Sequence, residues 1–218
     1  MTYEDVMKNE DVRAYIKKAD ETLKEIGYTE HSFAHVGVVA SRAAMILSTL
    51  GFSEHVIELA KIAAGLHDIG NLINRTEHAQ SGALMALNIL SHMNLPAADI
   101  GEVIAAIGNH DEGTGAPVSD IAAALVLADK SDVRRSRVRN SDIMSFDQHD
   151  RVNYSVTKTD LSINRAHTKI DLFVEVDEEF CTPVDYFEIF MGRMIMCRKA
   201  ALKLGLQFGL VMNGTRMM

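Results

Sequence analysis

Apolar positions recur at helical spacing through most of the chain. From Thr2 to Ile26, Val6, Val12, Tyr15, Ile16, Ala19 and Leu23 predict one amphipathic helix, with a hydroxyl at its start and Gly27 as its stop. A second helix is predicted from about Ser32 to Leu50, ended by Gly51 and carrying His35 near its start. Ser53-Glu54 opens a third, whose Val56, Ile57, Leu59, Ala60, Ile62, Ala63 and Ala64 are too dense for a surface helix and predict a central one. It delivers His67 and Asp68 just before Gly70. Ala79 to Met93 follows as a helix, and Pro96 opens another that runs through Ile100, Val103, Ile104 and Ile107 to His110. The loop from Glu112 to Pro117 breaks the pattern. Ser119 or Asp120 then caps a helix from Ile121 to about Val138, which contains Asp129.

After Asn140 the period changes. Residues 140 to 151 are polar, and Val152, Tyr154 and Val156 then alternate with polar neighbours, as do Ile170, Leu172, Val174 and Val176, which predicts an antiparallel hairpin. Thr182-Pro183 starts a long helix that Gly205 stops, and Phe208 to Met212 adds a final strand. The expected fold class is therefore mainly α. A helical bundle over residues 1–139 carries a small C-terminal α+β appendage over 140–218, packed on the same core or on a partner subunit.

Composition narrows the class without changing that outline. Of the 218 residues 47% are hydrophobic and 24% charged, a balance that indicates neither disorder nor a membrane protein. The net charge of -8 argues against a nucleic-acid polymer as partner. Cys181 and Cys197 make no metal-ligand spacing and read as buried thiols; with no signal-peptide pattern at the N-terminus, a cytoplasmic location is expected. The 12 methionines, several in the last helix, suit core or interface filling and raise the expectation of self-association through the appendage.

Candidate chemistry rests on His35, His67, Asp68, His78, His110 and Asp129. Each falls near the end or on the inward side of a predicted helix, where an unpaired polar group is costly. Imidazoles and carboxylates together are ligands for transition metals. The separation of 32 positions between His35 and His67, the run His67-Asp68-Ile69-Gly70, His78 before Gly82-Ala83, His110 before an acidic, glycine-rich loop, and Ala128-Asp129 occur in the order that characterises the HD superfamily of metal-dependent phosphohydrolases, which this chain resembles over about residues 28–139. It departs from the HD-GYP phosphodiesterases at Asn71, Asn109 and Gly115-Ala116-Pro117.

The resemblance implies an enzyme holding two divalent transition-metal ions, whether iron, manganese, zinc, cobalt or nickel, on those six residues. Asp68 would be the bridge and catalytic residue, and metal-bridged hydroxide would attack a nucleotide-type phosphoester or phosphoanhydride. The small anionic substrate would be met by Lys130, Arg134 and Arg137, which share one face if the helix continues past Asp129. Asp111 or Glu112 is a candidate general acid. His31 is read as a capping or supporting residue, and His55, His92, His149 and His167 as surface residues. Two other functions fit the ligand set: a mixed-valent di-iron oxygenase, or a catalytically weak regulatory module.

Overall fold

Asn9 divides the first predicted helix in two. Its backbone is extended, and its side chain accepts the N–H groups of Asp11 and Val12, so it ends α1 (Tyr3–Lys8) and caps α2 (Glu10–Glu25). The computed structural model describes residues 1–218. In it, α3 (Phe33–Thr49), α4 (Glu54–Leu66), α5 (His78–His92), α6 (Ala97–Gly108) and α7 (Asp120–Lys130) complete the helical body. The densely apolar α4 is central, packed by α1, α3, α6 and α7. Its Leu59, Ala60, Ile62, Ala63, Ala64 and Leu66 are all buried.

The helix α7 is shorter than its sequence predicts. It ends at Lys130, where the Ser131 hydroxyl donates to the Ala128 carbonyl at 2.7 Å and the Asp132 amide turns back onto Asp129. Only a short 3-10 turn, Arg135–Arg137, follows. Val152 and Tyr154 are helical rather than extended. Asp147 accepts the Asp150 amide at 2.7 Å and caps α8 (Gln148–Ser155), and Val152 and Ser155 take the buried side of that helix. An alternation of only three apolar positions samples too little of the period to separate a short helix from a strand.

The hairpin of β1 (Val156–Ile163) and β2 (Lys169–Val176) forms with Ile163 opposite Ile170. The long helix α9 (Pro183–Lys203) then crosses over, so that β3 (Gln207–Met212) pairs parallel to β2, and β4 (Thr215–Arg216) closes the sheet in the order β1-β2-β3-β4. The fold is mainly α with this small sheet at the C-terminal end. One hydrophobic core runs through both parts. Tyr186, Phe190, Met194, Cys197 and Ala200 of α9 join the cluster that holds the buried residues of α7. Burying a side chain such as Phe190 is worth ~1.5–3 kcal/mol relative to exposure. No helix is long and apolar enough to cross a membrane.

Candidate metal centre

Helix ends deliver the six histidines and aspartates. His35 lies in the first turn of α3, which Ser32 caps; His67 is the C-cap of α4 and Asp68 follows it. His78 opens α5, His110 stands two residues beyond α6, and Asp129 is in the last turn of α7. All six converge. The Nε2 atoms of His35 and His67 are 3.3 Å apart, and those of His78 and His110 are 3.2 Å apart. Asp68 stands between the two pairs. Its Oδ2 is 3.1 Å from His67 Nε2 and 3.6 Å from His35 Nε2, and its Oδ1 is 3.5 Å from His78 Nε2 and 3.8 Å from His110 Nε2. Asp129 Oδ1 faces the first pair at 3.4 and 3.7 Å.

The other ring nitrogens fix how the four imidazoles are used. His35 Nδ1 meets Asp132 Oδ2 at 2.8 Å, and His67, His78 and His110 Nδ1 meet the carbonyls of Ala64, Arg75 and Ile107 at 2.8, 3.0 and 2.6 Å. These partners only accept, so each Nδ1 carries its hydrogen and each neutral ring turns its Nε2 lone pair inward. Two lone pairs 3.2 to 3.3 Å apart repel unless a proton or a cation lies between them. Burial works against a charged His67, yet the carboxylates of Asp68 and Asp129 raise its pKa to about 10. Burial takes the His78 pKa down to about 4, with His110 and Arg75 adding to the effect of burial. Without a cation, His67 therefore holds a proton at neutral pH and His78 does not. Two groups, His35 with His67 and Asp129, and His67 with Asp68 and His110, bring their ligand atoms within 4.8 Å of one another and are donor sets that fit a divalent transition metal.

Neighbouring residues hold these donors in place. Asn71 Nδ2 donates to the Asp68 carbonyl at 2.9 Å and to its Oδ1 at 3.0 Å, fixing the orientation of the carboxylate. At Gly70 a Cβ would lie 2.0 Å from the His78 carbonyl oxygen and 2.5 Å from the Gly82 nitrogen, so only glycine lets α5 come close enough to present His78.

A cavity of ≈ 400 Å³ opens on this centre, and of its 18 lining residues only 2 are hydrophobic. Lys130 and Arg137 line it; Arg134 does not. Because α7 stops at Lys130, the three cations share no helix face. The Lys130 ammonium pairs with Glu112 Oε2 at 2.6 Å and Asp129 Oδ2 at 2.9 Å. Arg134 instead turns to Asp132, its Nε donating to Oδ1 at 2.7 Å. Burial raises the Glu112 pKa, but Lys130 and then Arg193 dominate and hold it at about 2. Glu112 is thus a fixed anion and poorly suited to donate a proton. His31 faces the cavity, its ring 5.4 Å from that of His35 and its Nδ1 2.7 Å from the Thr29 carbonyl. His149, expected at the surface, is exposed but also lines the rim.

Sequence reasoning missed Asn71, Arg75, Asp132 and Arg193 as parts of this site. Arg75 lies over the Tyr28 ring at 5.3 Å and donates to Asn71 Oδ1 at 3.2 Å, and Arg193 reaches in from α9 to Glu112 Oε1 at 3.1 Å. Asp132, an acid buried within a basic run, was the one available signal: such a residue needs a partner.

Comparison with known proteins shows what the chain is similar to. The uncharacterized protein MJ1020 of Methanocaldococcus jannaschii is 27% identical over 161 residues, which are 64% of this chain; the chain thus spans 62% of that relative. A predicted HD superfamily hydrolase from an uncultured Thermotogales bacterium has a crystal structure that is 26% identical, over 62% of this chain and 75% of its own, with a TM-score of 0.46. Residues 31–134, which carry all six converging side chains, match the family model of the HD domain.

Proposed function

We propose that the protein is a metal-dependent phosphohydrolase acting on a small, anionic, nucleotide-type substrate. The observation that carries this reading is the pair of histidine couples, each with its lone pairs facing inward and one oxygen of Asp68 directed at it. Divalent cations held there would lower the pKa of a bound water and neutralise charge on phosphoryl oxygens. The residues of the chain supply the rest. Asn71 keeps both Asp68 oxygens aligned, and the Nδ1 bonds keep all four imidazoles turned inward. Arg75, Lys130 and Arg137 surround the open side, where guanidinium and ammonium groups suit a phosphate. A lining with so few apolar side chains also favours a charged ligand over an apolar one.

The test is elemental analysis of the purified protein together with phosphate release from a panel of nucleotides, cyclic nucleotides and dinucleoside polyphosphates. Turnover is expected to vanish with a chelator and to return, without oxygen, on adding a redox-silent cation. Metal-replete protein that releases no phosphate from any member would sink the proposal, and turnover that requires oxygen would favour the oxygenase reading.

A further inference from the structure

The helix α9 has two opposed faces. Tyr186, Phe190, Cys197, Ala200 and Ala201 point into the core, and Arg193 reaches the cavity from the same side. On the other side Val184, Met191, Ile195 and Leu202 are exposed by 65%, 44%, 38% and 74%. At about 100° per residue these four lie within roughly 40° of arc, forming an apolar strip about 27 Å long. A strip of this kind on a water-facing helix marks a contact surface.

Its order identifies the occupant. Counting outward from Arg193, Met191 and Ile195 are two positions away, Glu188 and Arg198 five, and Val184 and Leu202 nine. Apolar residues therefore match apolar residues about that centre, and the acid matches a base. Asp185 extends the acidic end, and Lys199 and Lys203 the basic one. We infer that this face binds a second copy of the chain, with the two α9 helices antiparallel across a two-fold axis at the level of Arg193 along the helix but on the opposite side from that residue. Met191 then meets Ile195 of the partner subunit, Val184 meets Leu202 of the partner subunit, and Glu188 pairs with Arg198 of the partner subunit. Each contact occurs twice, as an isologous interface requires. Antiparallel helix dipoles add to the match. A lipid surface is the poorer occupant, since it favours cations along the whole strip rather than an acid at one end.

One helix pair buries less than the roughly 1,200 Å² of a standard interface, so a dissociation constant on the order of micromolar to tens of micromolar is expected. Sedimentation equilibrium of the full chain between about 1 and 200 µM should show a monomer–dimer equilibrium in that range. Glu188→Arg and Arg198→Glu should each weaken it about tenfold or more, because like charges then face each other at two places. The double variant, and an equimolar mixture of the two single variants, should both recover the dimer. A monomer throughout the range, or single reversals that dimerise like the parent, would overturn the inference. Failure of both the double variant and the mixture to recover would overturn the antiparallel register. All positions changed are exposed, and circular dichroism checks that each variant is folded; should a variant not fold, the parent's measured mass and Ile195→Asp, expected to be monomeric, decide the matter. The outcome does not depend on whether the metal centre hydrolyses phosphate.

Discussion

Asp132 holds three side chains at once. It accepts from His35 Nδ1 at 2.8 Å, from Arg134 Nε at 2.7 Å, and lies 3.7 Å from Arg137 Nη1, all without exposure to solvent. Burial raises its pKa, but the His35 bond and the Arg137 charge outweigh it and hold the carboxyl well below its usual range. A carboxylate behind a ligating histidine fixes its tautomer and raises its basicity. Asp132→Asn is therefore expected to weaken metal binding about 10- to 100-fold, read by competition with a chromogenic chelator. Unchanged affinity would show that the backbone alone positions His35. The six converging residues were legible in the sequence because unlike ligand types recur at the ends of apolar helices. Asn71 was not, since it acts through Asp68 and nothing in its spacing distinguishes it from an ordinary loop residue, and Asp132 showed only as an acid within a basic run, with no spacing that ties it to His35.

At the scale of elements, helix ends determine the site. The basic run after Asp129 continues the apolar period of α7 well enough to predict a longer helix, but the Ser131 bond back to Ala128 ends it at Lys130 and turns Arg134 away from the cavity. No periodicity argument sees such a competition between side chain and backbone. Glu112, in the loop after α6, then links Lys130 of α7 to Arg193 of α9. Its folded pKa of about 2 lies below the ordinary glutamate value of roughly 4.3, so the unfolded chain takes up its proton first as pH falls. The stability this link contributes is complete above the unfolded pKa and is lost as pH drops through the folded one. Thermal melts of the protein and of Glu112→Gln should accordingly differ most near neutral pH and converge between about pH 5 and pH 2. A gap that stays constant across that range would exclude the linkage.

Across the whole molecule, the change of sequence pattern at Asn140 coincides with no break in the core. The buried side of α7 is shared with α9, and the cavity takes Asp147, His149 and Asp150 from one side of the change and His110 and Asp129 from the other. The change of period was legible; the continuity was not, because packing between α7 and α9 joins residues far apart in the chain. A fragment of residues 1–139 would leave the apolar α9-facing side of α7 in water, and it is expected to lack a cooperative thermal transition by calorimetry. A sharp transition matching that of the full chain would show that the helical body folds alone.

The parallel pairing of β2 with β3 also bears on the order in which the protein matures. A parallel partner cannot follow through a tight turn, so β3 can join the sheet only after all of α9 has been synthesised and laid against α7. During translation the six metal-binding candidates have all left the ribosome long before Arg193 does. The growing chain thus passes through a stage at which all six are available while the side of α7 that α9 covers is still in water, so that completion of the centre waits for α9 to dock.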